Sequence, residues 1–435
     1  MNTNFIRCNG SLNDNGSLGG AIYILMRNQC QAIISNCKFQ QCQAYSGGGI
    51  FTDMFNGGNL TIDGQCQFID CYSYNTGGGL YISNYNAGSI FILQDAYLKG
   101  CKSASSAGGI YIFNMNEAVF HINNVTVDNC RANSGGGLLL VVFYNQYQQL
   151  FISGLTVSNC TASDRGGGMR IYNEAVVNDT IEFRDTSFVN CSALDGGGID
   201  LQIWGILSIF SSNLTFRNCS ARNWGGGILN GNGGGIYINL NISTQYEVVI
   251  KDLLVQNCKA TTNISQSKPP TGYGGGIFLT SNKDYNPSTN VIDFRGLKIY
   301  NNSADKAGQS LYVVMIKLAE LCQQGESGEY IKGNYTDGIS QYNELEGIPV
   351  DSKTFNSCSS SQIKYQQNYL ESYWDLDPNE IYYVQYIQSQ STGIDQEYCG
   401  RIYQPCKTIE YALQQISFRK AGSITSFVDQ KNIGF

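Results

Sequence analysis

Aliphatic and polar residues alternate along most of this chain in short runs, and the runs return at a fixed interval. The stretch Gly77-Gly78-Gly79-Leu80-Tyr81-Ile82 sets the pattern, three glycines followed by a period-two run. Close copies begin at Gly19, Gly47, Ala107, Gly135, Gly166, Gly196, Gly225, Gly233 and Gly274, roughly thirty residues apart, and a worn copy occupies 307–312. A period of this length marks a solenoid, in which each repeat buries its apolar face only against its neighbours. Each repeat holds three strand-like pieces; in the repeat that opens at Gly135 they are 135–140, 149–152 and 155–160. The second and third alternate strictly, as half-buried strands do. Parallel pairing within one sheet normally needs a long crossover, but a chain coiled around its own axis pairs successive turns without one. The pattern therefore predicts an all-β parallel β-helix.

A second ruler runs in phase with the first. Phe or an aliphatic residue precedes Cys by three positions at Phe39 and Cys42, Phe68 and Cys71, Leu98 and Cys101, Val127 and Cys130, and Val157 and Cys160. It continues at Phe188 and Cys191, Phe216 and Cys219, and Val255 and Cys258, and ends at Ile299 with Asn302 in the cysteine's place. Another inward column, two residues before the Phe, begins with Cys37 and Cys66. Together the rulers predict about ten coils of three strands each.

Residues 1–321 form the predicted repeat domain. All six prolines fall at or after Pro269, consistent with strand ladders that exclude a residue lacking an N–H. The doubled Gly225 and Gly233 motifs and a loop over 259–273, expected to protrude, are the irregularities inside it. Residues 322–379 read as an irregular junction, with Cys322 and Cys358 as a candidate disulfide pair. Residues 380–435 read as a cysteine-flanked turn, with Cys399 and Cys406 better disulfide candidates than any pair of the cysteine column, entering a short helix. Ile409, Ala412, Leu413 and Ile416 share one face of that helix.

The paired rulers resemble the repeats of chlamydial-type polymorphic outer-membrane proteins, which carry Gly-Gly-Ala-Ile and Phe-x-x-Asn; Gly19-Gly20-Ala21-Ile22 matches directly. The resemblance covers residues 1 to about 321 and implies a right-handed parallel β-helix of the pectin-lyase-like superfamily, displayed on a surface and involved in adhesion. Cysteine stands for the motif asparagine at nearly every turn, which is similar to the large repeat proteins of ciliates. The segment from Cys399 to Leu413 looks like the N-terminal cap of another β-helix, so 380–435 is expected to begin a second, truncated one.

Composition narrows the function classes. A formal net charge of −7, with no Lys or Arg run, argues against nucleic acid and acidic membrane surfaces as partners. Sixteen cysteines with one histidine would require Cys-only metal sites with short spacing, and none occurs, so neither a metal nor any other cofactor is implied. No apolar stretch approaches the ~18 residues of a membrane span. Asn-x-Ser/Thr acceptors at Asn59, Asn124, Asn178, Asn213, Asn241, Asn263 and Asn334 fit a secreted glycoprotein. The chain opens inside a repeat, with Phe5-Ile6-Arg7-Cys8 in motif register, and the expectation is a piece of a longer extracellular or cell-surface protein whose leader and anchor lie elsewhere.

Candidate site residues follow from the same columns. Tyr23, Phe51, Tyr81, Tyr111, Tyr237, Phe278 and Tyr312 alternate with the buried aliphatics of the glycine strands, and Arg170 and Asp200 share their column, which is therefore expected to face out. Such a row can stack on sugar rings or anchor a protein; it can equally stack on itself and cover the glycine-rich strand. The cysteine column admits buried thiols or some bridging between turns. The asparagines at Asn129, Asn159, Asn190, Asn218, Asn257 and Asn301 are expected to form a turn ladder. Hydrolases of the pectin-lyase-like type use clustered aspartates with Gly-His-Gly, and lyases use Arg with Asp-bound calcium; neither pattern is present. His121 lies in a strand without an acid pair, and Asp195 and Asp200 are expected to point different ways. The sequence thus predicts a non-catalytic scaffold for adhesion or presentation, against two alternatives, a carbohydrate-active or polysaccharide-binding β-helix and an inert spacer.

Overall fold

The structure, a computed structural model, describes residues 3–10, 16–143, 148–174, 179–205, 207–221, 231–240, 247–250, 252–262, 269–282, 285–288, 291–325, 329–332, 342–374, 382–384, 395, 399–400, 405–418 and 427–429. One turn of the coil shows how the sequence builds it. Leu80–Asn84, Ser89–Gln94, Tyr97–Lys99 and Lys102–Ser103 are successive strands, and Ile110–Asn114 begins the next turn directly beside Leu80–Asn84. A residue in the left-handed region stands at each of the four corners: Gly88 (φ 84°), Asp95 (φ 50°), Gly100 (φ 66°) and Ala107 (φ 56°). Each corner repeats from turn to turn, and its occupants are almost all Gly, Asn or Asp, the types that adopt this backbone at least cost. The asparagine column is one such ladder: Asn129, Asn159, Asn190, Asn218, Asn257 and Asn301 have φ between 52° and 56°. Asn190 donates to Asn159 at 3.2 Å and Asn218 to Asn190 at 3.1 Å.

Successive turns pair in register and in parallel to give three sheets. The glycine sheet runs from Ile22–Met26 to Leu311–Val314. The long face holds the second and third pieces, which merge into single strands at Asp179–Val189 and Leu207–Arg217. A short sheet of strands such as Lys102–Ser103 and Ser303–Ala304 closes the third side; two residues are too few to show a period, and the sequence did not reveal it. Inside, Leu80, Ile82, Phe91, Leu93, Leu98 and Cys101 of one turn stack on their counterparts in the next to form one continuous core.

The second copy of the doubled motif, Gly233, enters the ladder, where Ile236–Leu240 pairs with Ile199–Ile203; Gly225 lies outside the described residues. Residues 263–268 of the loop expected to protrude are also outside them, but its end packs inward, with Tyr273 buried and the Asn232 amide donating to the Pro270 carbonyl at 3.0 Å.

The expectation of an irregular junction after 321 needs correction. Leu345–Ile348 adds a further parallel strand to the glycine sheet, and Asn368–Tyr369 pairs antiparallel to it. Leu318, Leu321, Cys322, Leu370, Tyr373 and Trp374 fill the end of the core, so this segment caps the solenoid. Its apolar residues are too scattered in sequence to show a period. Further on, Tyr382–Val384 pairs in parallel with Phe427–Asp429, and Ile409–Phe418 is helical. Ala412 of that helix is buried, whereas Ile409 and Leu413 are exposed, so the shared face expected of them is not a uniformly buried one. No helix among the described residues is long and apolar enough to cross a membrane.

Candidate functional site

The column expected to present aromatics is a true ladder. Tyr23, Phe51, Tyr81, Tyr111, Leu139, Arg170, Asp200, Tyr237, Phe278 and Tyr312 stand opposite one another on consecutive strands. Phe51 stacks on Tyr81 with ring centroids 4.2 Å apart, and Tyr81 on Tyr111 at 4.9 Å. A second stack runs beside it, Phe55 on Tyr85 at 5.0 Å. Asp53 lies between them, accepting from Tyr23 Oη at 3.4 Å and from Ser83 Oγ. Burial, with the neighbouring Tyr111, Tyr85 and Asp53 charges adding to it, raises the Tyr81 phenol above its ordinary range, and burial pushes Tyr111 up to about 12. These phenols stay protonated at neutral pH.

Exposure is where the sequence reading fails in part. Tyr23 is 48% exposed, and Tyr81 and Tyr111 are half-buried, but Phe51 is buried between its ring neighbours. Tyr237, Phe278 and Tyr312, expected to face solvent, are buried too. They do point away from the core; the capping segment lies over them, with Ile348, Phe355, Cys358 and Ile363 packed against the rings. Only a covering segment distant in sequence could bury them, and period-two alternation carries no trace of it.

Asp200 corrects the argument that charge in this column means exposure, because it has no exposed surface. It pairs with Arg170 (Nε to Oδ2 3.1 Å) and accepts from Gln202 Nε2 at 2.7 Å. Asp195, expected to point elsewhere, joins the same group: it is fully buried, accepts from the Asn232 N–H at 3.2 Å and lies 3.9 Å from Arg165 Nε. Burial raises both carboxyls above the ordinary 3.8, Asp195 well above it, while Arg165 and Arg170 pull the other way. The sequence signal that could have found this cluster is the coincidence of Arg165, Arg170, Asp195 and Asp200 on two adjacent glycine motifs. His121, by contrast, stacks on Phe151 at 5.1 Å.

The cysteine column is made of buried, free thiols. Most of the thiols point back one turn: Cys71 donates to the Phe39 carbonyl at 3.5 Å, Cys101 to Phe68 at 3.4 Å and Cys191 to Val157 at 3.6 Å. Asn302, in the cysteine's place, does the same with its amide, donating to the Val255 carbonyl at 3.1 Å while its Oδ1 accepts from the Cys258 N–H at 2.9 Å. Cysteine and asparagine therefore satisfy the same backbone site. Cys399 and Cys406 form a disulfide. Cys322 and Cys358 do not: both thiols are free, Cys322 in the core and Cys358 among the rings on the opposite face of the glycine sheet. No group of three His, Cys, Asp or Glu side chains that could hold a metal ion occurs among the described residues. Of the glycosylation acceptors, Asn124 and Asn213 use Nδ2, the atom a glycan would occupy, to donate to Asp95 at 2.6 Å and Asp185 at 2.7 Å; Asn178, Asn241, Asn263 and Asn334 lie outside the described residues.

A feature the sequence reading missed is a polar groove of about 450 Å³ at the corner before the short sheet, lined by Arg7, Gln41, Asp70, Tyr72, Gly100 and Lys102 among others. Gly100 opens it, since a Cβ there would lie 2.2 Å from the Asp70 carboxylate.

Fold and columns define a class, the parallel β-solenoid with a ringed outer face. The family model described as "right handed beta helix region" matches residues 20–201 and 88–243, which together span just over half of the 435 residues. The chain belongs to the right-handed β-helix family. No curated protein and no solved structure matches it.

Proposed function

We propose that this chain is a non-catalytic repeat scaffold of the cell exterior or cell surface, which presents the outer face of its glycine sheet for adhesion to a protein or glycan. One observation carries the reading, the ring stack of Tyr23, Phe51, Tyr81 and Tyr111 on consecutive rungs, open to solvent at its Tyr23 end. Stacked rings on paired strands offer large apolar area whose side-chain freedom has already been lost in folding, so little ordering cost remains on binding. The phenol hydroxyls supply donors at its rim. The position of the charges supports the same reading. Asp195 and Asp200 are fully buried and paired with Arg165 and Arg170, whereas two working carboxylates would face an open cleft that admits substrate.

The test is a panel of extracellular proteins and polysaccharides immobilised and probed with the full chain. Replacing Tyr23→Ala with Tyr81→Ala should weaken whichever interaction is found at least tenfold, while folding stability falls by what three ring pairs supply, ~0.5 to 1.5 kcal/mol each. Binding that survives the double substitution removes this face as the contact. New reducing ends or unsaturated uronates in the polysaccharide wells would make the chain an enzyme, and an empty panel would favour the inert spacer.

A further inference from the structure

The open end of the ring face carries a single charged residue in its strands. From Ile22–Met26 through Ile50–Met54, Leu80–Asn84 and Ile110–Asn114 to Leu138–Val142, consecutive strands of the glycine sheet hold no charge except Asp53. Its half-buried side chain stands on the outer face between Phe51 and Phe55, with Leu25 and Ser83 opposite it on the strands to either side. Phe51 and Phe55 carry the two ring stacks up to Tyr81 and Tyr85. Burial first, and the Asp53 charge next, raise the Tyr23 and Tyr85 phenols, so the field of this carboxylate reaches both stacks.

A carboxylate among rings is costly unless something answers its charge. Within the chain only neutral groups do so. Tyr23 Oη at 3.4 Å and Ser83 Oγ each donate to one oxygen, whereas a carboxylate has about four acceptor sites. Among the described residues no Lys or Arg stands within ion-pair distance of Asp53; the nearby Arg27 lies over the Phe55 ring, 6.0 Å from its centroid. Elsewhere the same chain completes this arrangement twice. Arg170 pairs with Asp200 at 3.1 Å and lies 6.0 Å from the Tyr172 ring centroid. Arg295 pairs with Asp293 at 2.7 Å and lies 4.6 Å from that of Tyr330. At Asp53 the chain supplies the carboxylate and the rings alone.

We infer that Asp53 makes the ring face selective for a partner protein that presents an arginine side chain, whose guanidinium pairs with the Asp53 carboxylate while its methylenes lie along the surrounding rings. The inference rests on the reading of this face as the adhesive contact and names the group that the contact selects. Charge complementarity carries it, because one carboxylate in an apolar surround strengthens its pairing with a matching charge and rejects a like one. Arginine fits better than lysine: its planar fork binds both oxygens of a carboxylate, stacks on rings and is more weakly hydrated. The surround favours a protein over a small cation. Tyr23 and Leu25, 48% and 44% exposed, extend the apolar area beyond the carboxylate, as in an interface whose central anchor is ringed by contacts that exclude water.

The probe is the pentapeptide Ala-Leu-Arg-Leu-Ala, acetylated and amidated, titrated into the full chain and followed by saturation-transfer NMR, which reads weak binding. Its citrulline counterpart, similar in shape but uncharged, should bind about fivefold more weakly or worse, the loss of one partly enclosed ion pair. Asp53→Asn should weaken the arginine peptide to the same extent, since the amide keeps the shape and an oxygen to accept from Ser83. Asp70→Asn removes an equal charge at the exposed corner before the short sheet and should leave the affinity unchanged. Absence of saturable binding by the arginine peptide overturns the inference, as does equal binding of the citrulline peptide or equal binding by the Asp53→Asn chain. An equal loss with Asp70→Asn would reduce the effect to net charge and overturn it too. Agmatine binding as tightly as the peptide would make the occupant a free guanidinium compound, which also overturns the assignment to a protein. If a panel partner depends on Tyr23 and Tyr81 but is indifferent to Asp53→Asn, the adhesion reading stands and this inference alone falls. If the arginine peptide needs Asp53 while the panel partner ignores Tyr23 and Tyr81, the adhesive role of the face falls and the arginine site remains.

Discussion

At the residue scale the three glycines of each motif do different work. Gly77 turns the corner with φ 67°, and a Cβ built there would lie 2.4 Å from the Leu80 carbonyl oxygen, but Ala107 stands at the same corner one turn on with φ 56°, so a small backbone shift admits a side chain at a cost. Gly78 has no such freedom. A Cβ there would lie 2.3 Å from the Gly108 carbonyl oxygen and 2.5 Å from that of Lys102, both main-chain atoms fixed by rung pairing. Gly77→Ala should therefore cost the ~1 to 3 kcal/mol of a non-glycine left-handed residue, and Gly78→Ala should exceed the ~3 kcal/mol of ordinary overpacking. Urea unfolding of the two variants tests the order, and equal losses would refute the distinction. The cysteine and Asn302 sites teach a related lesson. What the column requires is a small side chain that donates to the carbonyl one turn back, and thiol and amide both do so.

At the element scale the glycine strands at Met169–Asn173 and Ile199–Ile203 interrupt an aromatic ladder with a buried ionic cluster. Folding raises the Asp195 carboxyl well above 3.8, so the native state holds that proton more tightly than the unfolded chain does. Its contribution to stability is full below about pH 4 and is lost as pH rises through the native value. Asp195→Asn removes the titration. Relative to wild type the variant should gain ~1 kcal/mol or more between pH 4 and pH 8, measured by denaturant midpoints across that range. A difference that stays flat would show that Arg165 offsets the burial of the charge completely.

At the scale of the whole molecule the solenoid is a one-dimensional stack whose far end is closed by a segment that does two jobs. Leu318, Leu321 and Leu370 seal the core, while Phe355 seals the ring column on the opposite face of the same sheet. Phe355→Ala should cost ~3 to 5 kcal/mol, as for other buried aromatics, and should uncover Tyr312. In a repeat array such a loss stays near the affected turns, so hydrogen exchange should quicken over 277–314 and stay unchanged around Leu80–Asn84. Uniform quickening along the chain would instead mean that the solenoid unfolds as one unit.

The sequence by itself determined the repeat, its three strand-like pieces and the inward and outward columns. Alternation and turn residues are local consequences of pairing each turn with the next, and they are written wherever the pairing occurs. It also placed Tyr23, Phe51, Tyr81, Tyr111, Tyr237, Phe278 and Tyr312 on one ladder. Which of them meet solvent was decided by the tertiary structure alone, since Phe355 lies 43 positions beyond Tyr312 and reaches it only when the cap folds back. Asp200 makes the same point from the opposite side. Its outward register is legible, but its burial depends on Arg170, Gln202 and the turns around them, because register fixes direction while exposure depends on whatever else the chain lays over that face.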